Sequence, residues 1–187
     1  MMMPGMEAAA GAEGGAAQDS NKIVDLLDFV EKKSCYARNE DPRFPHSNLF
    51  IGDSRLGCKS DADEQLILHI EFNQFVKIHS LKFTAFNQGN EPETSPTVVK
   101  LYINRPNLGF EDIDDVDETQ ALELTSEDLR EGSDAMLLKF VKFQRVSSLT
   151  IFIEDNNGGD VSSLGGLKLY GKTVATTNMC DFKKNKG

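Results

Sequence analysis

The sequence of 187 residues has the length of a single domain, and its 39% hydrophobic content is ordinary for a globular chain. No apolar run approaches the ~20 residues of a membrane-spanning helix, so we expect no membrane partner. The formal net charge of −10 is concentrated between Glu111 and Asp134, where eleven acids accompany one base, Arg130. Such a segment repels phosphate groups, so we expect no nucleic-acid partner either.

The first part of the chain is predicted to hold a tail, one helix and a loop. Residues 1–19 are rich in alanine and glycine and predict a disordered tail. In residues 19–33, DSNKIVDLLDFVEKK, apolar side chains recur at the spacing of one helix face. These side chains are Ile23, Leu26, Leu27 and Val30. The spacing predicts a short N-terminal helix, followed by a loop over residues 36–60 that proline and glycine interrupt.

The remainder of the chain consists of short runs in which apolar and polar residues alternate, as in strands. Strands are predicted over residues 64–72, 75–85, 97–104, 136–143, 148–154 and 167–171. The alternation changes phase near His79 and Ser80, which predicts a bulge there. Residues 124–132, LTSEDLREG, predict a helical turn with an N-terminal cap. Because strands do not alternate with helices, the pattern predicts an all-β fold, an antiparallel β-sandwich.

One stretch, FVKFQRVSSLTIFIED at residues 140–155, is predicted to form a β-hairpin in the middle of the sheet. Leu149, Ile151 and Ile153 share one face of its second strand, and Thr150 lies on the other face. This alternation is typical of a strand that is buried on one side only. We therefore expect Ile151 in the core and a wetter environment for Thr150.

No catalytic machinery is recognisable in the sequence. It contains no G-x-S-x-G, Walker A or G-x-G-x-x-G motif. The histidines are His46, His69 and His79, and none has a partner at metal-ligand spacing. The cysteines are Cys35, Cys58 and Cys180; they form no C-x-x-C pair and are interpreted as reduced structural thiols. We expect no catalytic residue, no cofactor and no metal, and hence a protein that is not an enzyme.

The acidic segment has two interpretations. A calcium loop is disfavoured, because EDIDDVDE lacks the D-x-D-x-D-G spacing and the turn glycine of such loops. A solvated loop is favoured, and its functional form is an electrostatic contact with a basic partner surface. The residues expected to make that contact are Asp114, Asp115 and Asp117.

Several blocks of the sequence, in one order, resemble the PITH domain, the proteasome-interacting domain of thioredoxin-like proteins. The blocks are SDADEQLIL (60–68), FNQFVKIHSLKF (72–83), TQALELTSEDL (119–129), FVKFQRVSSLTIFIEDN (140–156) and LYGKTVATTNMCDF (169–182), together with DLLDFV (25–30) and Cys35. The resemblance implies a jelly-roll β-sandwich similar to galactose-binding-like modules. It also implies association with the 26S proteasome regulatory particle. The W-C-G-P-C motif of thioredoxin is absent from the sequence, so disulfide reduction is not carried over.

The resemblance divides the sequence into a tail at 1–19, a PITH domain at 20–180 and a flexible basic tail at 181–187. In the C-terminal tail, Phe182 with Lys183 and Lys184 is predicted to be a second partner-binding element, an aromatic anchor beside positive charges. The expected location is the cytoplasm, with the nucleus as a further compartment.

Two other classes of function stay open. A jelly roll can bind a small ligand or carbohydrate, although the sequence has no tryptophan to serve as a stacking platform. An enzyme that is redox-active through Cys35 would require that thiol to be exposed and its pKa to be lowered.

Overall fold

Antiparallel strands make up most of the residues described by the structure, a computed structural model covering residues 22–88 and 91–174. Ten strands occur in these residues. They are β1 Val24–Asp25, β2 Tyr36–Arg38, β3 Cys58–Lys59, β4 Leu66–Thr84, β5 Pro96–Ile103, β6 Gln120–Glu123, β7 Met136–Leu137, β8 Val146–Asn156, β9 Ser163–Leu164 and β10 Gly166–Thr173. The helical elements between them are short 3₁₀ turns, at Leu26–Phe29, Lys32–Ser34, His46–Phe50, Pro92–Thr94, Ile113–Asp115 and Phe140–Lys142.

Strand β4 connects the two layers of the fold. The strand order is β1-β10-β4-β8-β5-β6, with β2 and β7 also paired to β4, and β3 pairs separately with β9. The first part of β4, Leu66–Glu71, pairs with β8, whereas Val76–Thr84 pairs with β10. Side chains from both parts, such as Leu68 and Leu81, enter one buried cluster. The predicted all-β antiparallel architecture is therefore confirmed, and the two strands predicted at 64–72 and 75–85 are one continuous strand.

The bulge predicted near His79 is confirmed. Tyr170 lies opposite Ser80, but the next residue, Gly171, lies opposite Ile78, so His79 has no counterpart in β10. A Cβ atom on Gly171 would come within 1.8 Å of the carbonyl oxygen of Lys77. Glycine is therefore required where the two backbones approach most closely.

The predicted N-terminal helix is wrong. Val24 and Asp25 form β1 against β10, and the chain then makes only the 3₁₀ turn Leu26–Phe29. The carboxylate of Asp25 accepts a hydrogen bond from the N–H of Leu27 (2.9 Å), and Val30 is already extended and bridged to Phe72. Strand pairing at both ends leaves room for one turn, which overrides the local helical spacing.

The predicted hairpin at 140–155 is also wrong. Strand β7 ends at Leu137 and pairs with β4, residues Phe140–Lys142 form a 3₁₀ turn, and β8 pairs with β4 and β5. In the run 136–143 only Leu138 and Phe143 are buried, so the run lacks the alternate burial that would hold it in a sheet. The predicted helical turn at 124–132 is a hydrogen-bonded turn rather than a helical element, with hydrogen bonds of 2.9 and 3.3 Å exchanged between Asp128 and Thr125.

Strand β8 is buried on both faces, in contrast to the half-buried strand predicted from its alternation. Ile151 is fully buried in the main core, as expected, but Thr150 is only 1% exposed. A second apolar cluster covers the other face. Its members are Ile67, Tyr102, Leu108, Ile113 and Phe152, and the chain between β5 and β6 supplies Leu108 and Ile113. The segment that covers this face also contains the start of the acidic segment, at Glu111.

Candidate protein-interaction surface

Three large apolar side chains lie exposed within five residues of each other. Leu137 is 70% exposed, Val141 is 83% exposed and Phe140 is 39% exposed. We call these three residues the apolar patch. Among the described residues, Phe140 is the only aromatic residue that is exposed rather than buried or half-buried. Exposed apolar residues that cluster in this way are typical of a contact surface.

The fold holds the apolar patch in place at both ends. Before it, β7 pairs with β4, and the N–H of Leu138 donates to the carbonyl of His79 (3.0 Å). After it, Phe143 is fully buried and its carbonyl accepts from the N–H of Ile78 (3.0 Å). In the 3₁₀ turn between these anchors, Val141 is exposed to solvent, and the partly exposed Phe140 ring lies edge-on to the His79 imidazole with ring centroids 6.3 Å apart.

Acidic residues flank the apolar patch on two sides. On one side, the N–H of Lys139 donates to the side chain of Gln120 (2.8 Å), and Lys142 Nζ donates to the carbonyl of Thr119 (3.4 Å). Asp117 and Glu118 immediately precede Thr119 in the chain. On the other side, a cavity of about 510 Å³ is lined by Leu137 and Met136 together with acids of residues 127–134. The surface therefore has an apolar centre with an acidic rim on two sides, and the exposed cations Lys139, Lys142 and Arg130 lie among these groups.

The predicted acidic contact residues lie at the surface on a fixed support. Asp114, Asp115 and Asp117 are all exposed. Ile113, at the start of the same 3₁₀ turn, is 8% exposed and packs into the second apolar cluster with Phe152. A buried apolar anchor thus holds the carboxylates outward. The other predicted contact residues, Phe182, Lys183 and Lys184, lie outside the described residues.

The buried side chain of Lys82 holds the acidic loop at residues 127–134 in place. It is 7% exposed, and its ammonium group donates to the carbonyls of Asp128 and Arg130 (both 2.7 Å) and to Ser133 Oγ (2.6 Å). Burial lowers the pKa of Lys82. At the surface of the same stretch, a hydrogen bond from the Arg130 guanidinium lowers the pKa of Glu127. Lys82 therefore fixes the loop at residues 127–134, which lines one side of the surface, through hydrogen bonds to its backbone carbonyls.

Sequence reasoning did not find the apolar patch, although a signal for it was present. The run MLLKFVKF is predicted to be a strand, yet its apolar residues do not alternate regularly. Apolar residues that fit neither a helical nor a strand period are candidates for exposure. The acidic segment, in contrast, was recognised from charge alone.

One buried cluster combines a hydroxyl, an imidazole and a carboxylate, the groups of a catalytic triad, but its hydroxyl and imidazole are closed to solvent. Nδ1 of His69 lies 3.1 Å from Thr150 Oγ1, and its Nε2 lies 2.8 Å from a carboxylate oxygen of Glu71. His69 and Thr150 are each 1% exposed, and Tyr36 stacks on the imidazole with ring centroids 4.7 Å apart. Thr150 also donates to the carbonyl of Arg105 (3.2 Å). These bonds join strands to a loop, and no substrate can reach the hydroxyl.

The cysteines in the described residues do not meet the requirements for redox activity. Cys35 is 8% exposed, and burial raises the pKa of its thiol. Its Sγ accepts the N–H of Glu71 at 3.4 Å. Cys58 is fully buried, which also raises its pKa. Both conditions set for a reactive Cys35 therefore fail. Across residues 22–88 and 91–174, no three His, Cys, Asp or Glu side chains are grouped to hold a metal.

Comparison with known proteins places the chain in a family. The PITH domain model matches residues 16–187. Thioredoxin-like protein 1 of Schizosaccharomyces pombe (strain 972 / ATCC 24843) is 38% identical over 181 residues, which are 92% of this chain and 62% of that protein. PITH domain-containing protein 1 of Homo sapiens is 30% identical over 115 residues, 61% of this chain and 51% of that protein. The chain thus spans between about half and three fifths of the length of these two relatives. It belongs to the PITH domain family.

Two solved structures with a similar fold are carbohydrate-binding modules. The family 32 module of Clostridium perfringens NanJ, in complex with galactose, superimposes with a TM-score of 0.59 at 12% identity, covering 80% of this chain and 99% of that one. The CBM32-1 and CBM32-2 domains of C. perfringens ZmpB, in complex with GalNAc, give 0.60 at 11% identity, covering 78% and 35%. At such identities the likeness shows the jelly-roll β-sandwich fold alone. In the part of the chain that is described, no helix is long and apolar enough to span a membrane.

Proposed function

We propose that this chain is a non-catalytic protein-interaction module that associates with the 26S proteasome regulatory particle in the cytoplasm and nucleus. Membership of the PITH domain family supports an interaction module, and the family resemblance supplies the partner. The observation that carries the proposal is the apolar patch with its acidic rim. Such a surface suits a partner that offers an apolar pocket surrounded by basic residues.

The energetics of this surface favour a contact centred on Phe140. Aromatic side chains at the centre of an interface contribute most of the binding free energy, provided that surrounding contacts exclude water. Val141 follows Phe140 directly in the chain and Leu137 precedes it by three residues, and these two exposed side chains would provide that exclusion. The acids would steer the approach of a basic partner and speed its association.

The competing proposal, carbohydrate binding, has less support from the side chains. Sugars bind to the open face of an aromatic ring. The ring of Tyr36 has His69 stacked on it and the Arg38 guanidinium 5.1 Å from its centroid. Phe44 has Lys59 at 4.9 Å and Arg43 at 5.7 Å from its centroid. We therefore expect a glycan array to show no specific binding.

The test is capture of proteasomes by the purified chain, with and without Val141→Asp. This substitution places a charge within the apolar patch, and because Val141 is 83% exposed it should leave the melting temperature unchanged. We expect capture to weaken by about a hundredfold or more, since a buried unpaired charge costs an interface several kcal/mol and each ~1.4 kcal/mol is a factor of ten. Phe140→Ala should weaken capture similarly.

The matched control is Leu56→Asp, which introduces the same charge at an exposed apolar residue outside the patch. It should capture proteasomes as well as the unmodified chain. Equal capture by the Val141→Asp and Leu56→Asp variants would remove the apolar patch from the interface. No capture by the unmodified chain, measured by quantitative mass spectrometry, would reject the proteasome as its partner.

A further inference from the structure

Three basic side chains meet near Val76, where the part of β4 that pairs with β10 begins. Val76 and Ile78 are fully buried in the main core. Phe75 and Lys77 alternate with them along the strand and therefore point away from the core. Lys172 of β10 lies directly opposite Lys77 and shares its face of the sheet. Two of the three basic side chains are thus neighbours across the strands.

The third basic side chain, Arg145, reaches the same face from the other edge of β4. Its Cζ atom lies 3.9 Å from the centroid of the Phe75 ring, well within cation–π distance. The backbone of Arg145 is also fixed, because its carbonyl accepts from Asn104 Nδ2 (3.2 Å) and the next residue, Val146, pairs with β4. Stacking covers only the face of the planar guanidinium, so the N–H groups at its edge stay available to an acceptor. Phe75 and Lys77 are two residues apart on one face, which places Arg145 about 7 Å from the lysine position.

No carboxylate of the described residues neutralises this cluster. Within residues 22–88 and 91–174, none forms an ion pair with Arg145, Lys77 or Lys172. The only acid in β4, Glu71, is bonded to the His69 imidazole instead (2.8 Å). Like charges directly opposite each other destabilise a pair of strands, since their Cβ atoms are only about 5 Å apart. A bound anion between the lysines would remove that repulsion.

We propose that Arg145, Lys77 and Lys172 form a binding site for a phosphate group that is carried by a phosphorylated side chain of another protein. Such a group has nearly two negative charges at neutral pH and three acceptor oxygens. The guanidinium edge can donate to two of these oxygens, and the lysines supply point charges to the third. A carboxylate has one charge and two oxygens, so it would neutralise the cluster less completely. The site is separate from the apolar patch and does not depend on the proteasome proposal.

A single phosphate group on a protein suits this site better than a membrane or a nucleic acid does. Both of those present extended arrays of anionic groups. The chain has a net charge of −10, concentrated in residues 111–134, and it would be repelled by such arrays. An isolated phosphate can reach three local cations without bringing further negative charge towards the acidic segment. Clusters of basic side chains that include arginine recognise phosphorylated protein segments in this way.

The first test screens the full chain against random peptides with a central phosphoserine, phosphothreonine or phosphotyrosine, and against the same peptides without phosphate. The best phosphopeptides should bind at least about tenfold more tightly than their unphosphorylated forms. Arg145→Gln with Lys172→Gln should abolish that preference. The matched control, Arg43→Gln with Arg55→Gln, removes the same charge at two side chains that are 81% and 78% exposed elsewhere, and it should keep the preference. Equal binding of phosphorylated and unphosphorylated peptides, or equal losses in the two variants, would overturn the proposal.

The second test locates the phosphate and separates its sources. In NMR spectra of the full chain, the Nε–H signal of Arg145 should shift when a selected phosphopeptide is added and stay in place with its unphosphorylated form. Shifts confined to other parts of the chain would refute the site. Vesicles that contain a phosphoinositide are the second probe, and we expect them not to bind. Vesicle binding that is lost in the Arg145→Gln, Lys172→Gln variant, without a preference for phosphopeptides, would assign the cluster to a membrane and refute the proposed occupant.

Discussion

At the scale of single residues, neighbouring positions of β8 are buried for different reasons. Ile151 packs in the main core, whereas Thr150 is enclosed with His69 under the chain that follows β5. Ile151→Ala should destabilise the protein by ~2–5 kcal/mol through cavity formation. Thr150→Ala should cost ~1–3 kcal/mol, because the imidazole and the Arg105 carbonyl lose a hydrogen-bond partner. Urea unfolding measures both changes, and a negligible loss for Thr150→Ala would mean that water replaces the hydroxyl.

The same two residues show what a sequence pattern can and cannot predict. Period-two alternation correctly places Ile151 in the core and predicts the bulge at His79, because both depend on contacts within one strand and its direct neighbours. The burial of Thr150 depends on His69, on the Tyr36 ring stacked over it and on the chain at Arg105, all of them distant in sequence from Thr150. The local sequence pattern around Thr150 cannot predict contacts with residues so distant in the chain.

At the scale of elements, the errors arise where strand pairing competes with local preference. Residues 19–33 have helical spacing, but pairing of Val24 with β10 and of Val30 with Phe72 fixes both ends in extended conformation. Run 136–143 has enough apolar residues for a strand, but only Met136 and Leu137 pair. The strands at 97–104 and 167–171 were predicted well because they are paired along most of their length.

The 3₁₀ turn Ile113–Asp115 is the element whose electrostatic role can be tested directly. Replacing Asp114, Asp115 and Asp117 by asparagine removes three exposed charges and leaves the Ile113 anchor in place, so the melting temperature should hold. We expect a lower association rate with proteasomes, measured by surface plasmon resonance. The rate of the unmodified chain should also fall as salt rises, because exposed charges are screened over ~10 Å at 0.1 M salt.

A second triple variant controls for the change in net charge. Asp28, Asp61 and Asp160 are exposed acids outside the acidic segment, and asparagine at all three changes the net charge equally. If the position of the charges matters, this variant should associate at nearly the unmodified rate. Equal slowing of both variants would indicate that only the overall charge of the protein attracts the partner.

At the scale of the whole molecule, the surface proposed for binding is assembled from segments far apart in sequence. Residues 113–118 and 127–134 supply the acids, and residues 137–141 supply the apolar centre. Charge can be read from the composition, so the sequence predicts the acidic part of this proposed surface. The apolar centre was not predicted, because its exposure results from the anchoring of Leu138 and Phe143 against β4. The fold class and the family could be predicted from the sequence, because each depends on a pattern that extends over many residues.

The predicted role of the C-terminal tail also belongs to the whole molecule, because it adds a second contact to that surface. Phe182 with Lys183 and Lys184 combines one aromatic anchor with positive charges, the combination that concentrates binding energy in few residues. Truncation after Met179 should leave the melting temperature nearly unchanged and weaken proteasome capture several-fold. In the full chain, Phe182→Ala should reproduce most of that loss, and Lys183→Ala with Lys184→Ala a smaller part. If the tail and the apolar patch contact the proteasome independently, combining the truncation with Val141→Asp should multiply the two losses, since free energies of separate sites add. Full capture by the truncated chain would confine the interface to the sandwich, with the apolar patch as its centre.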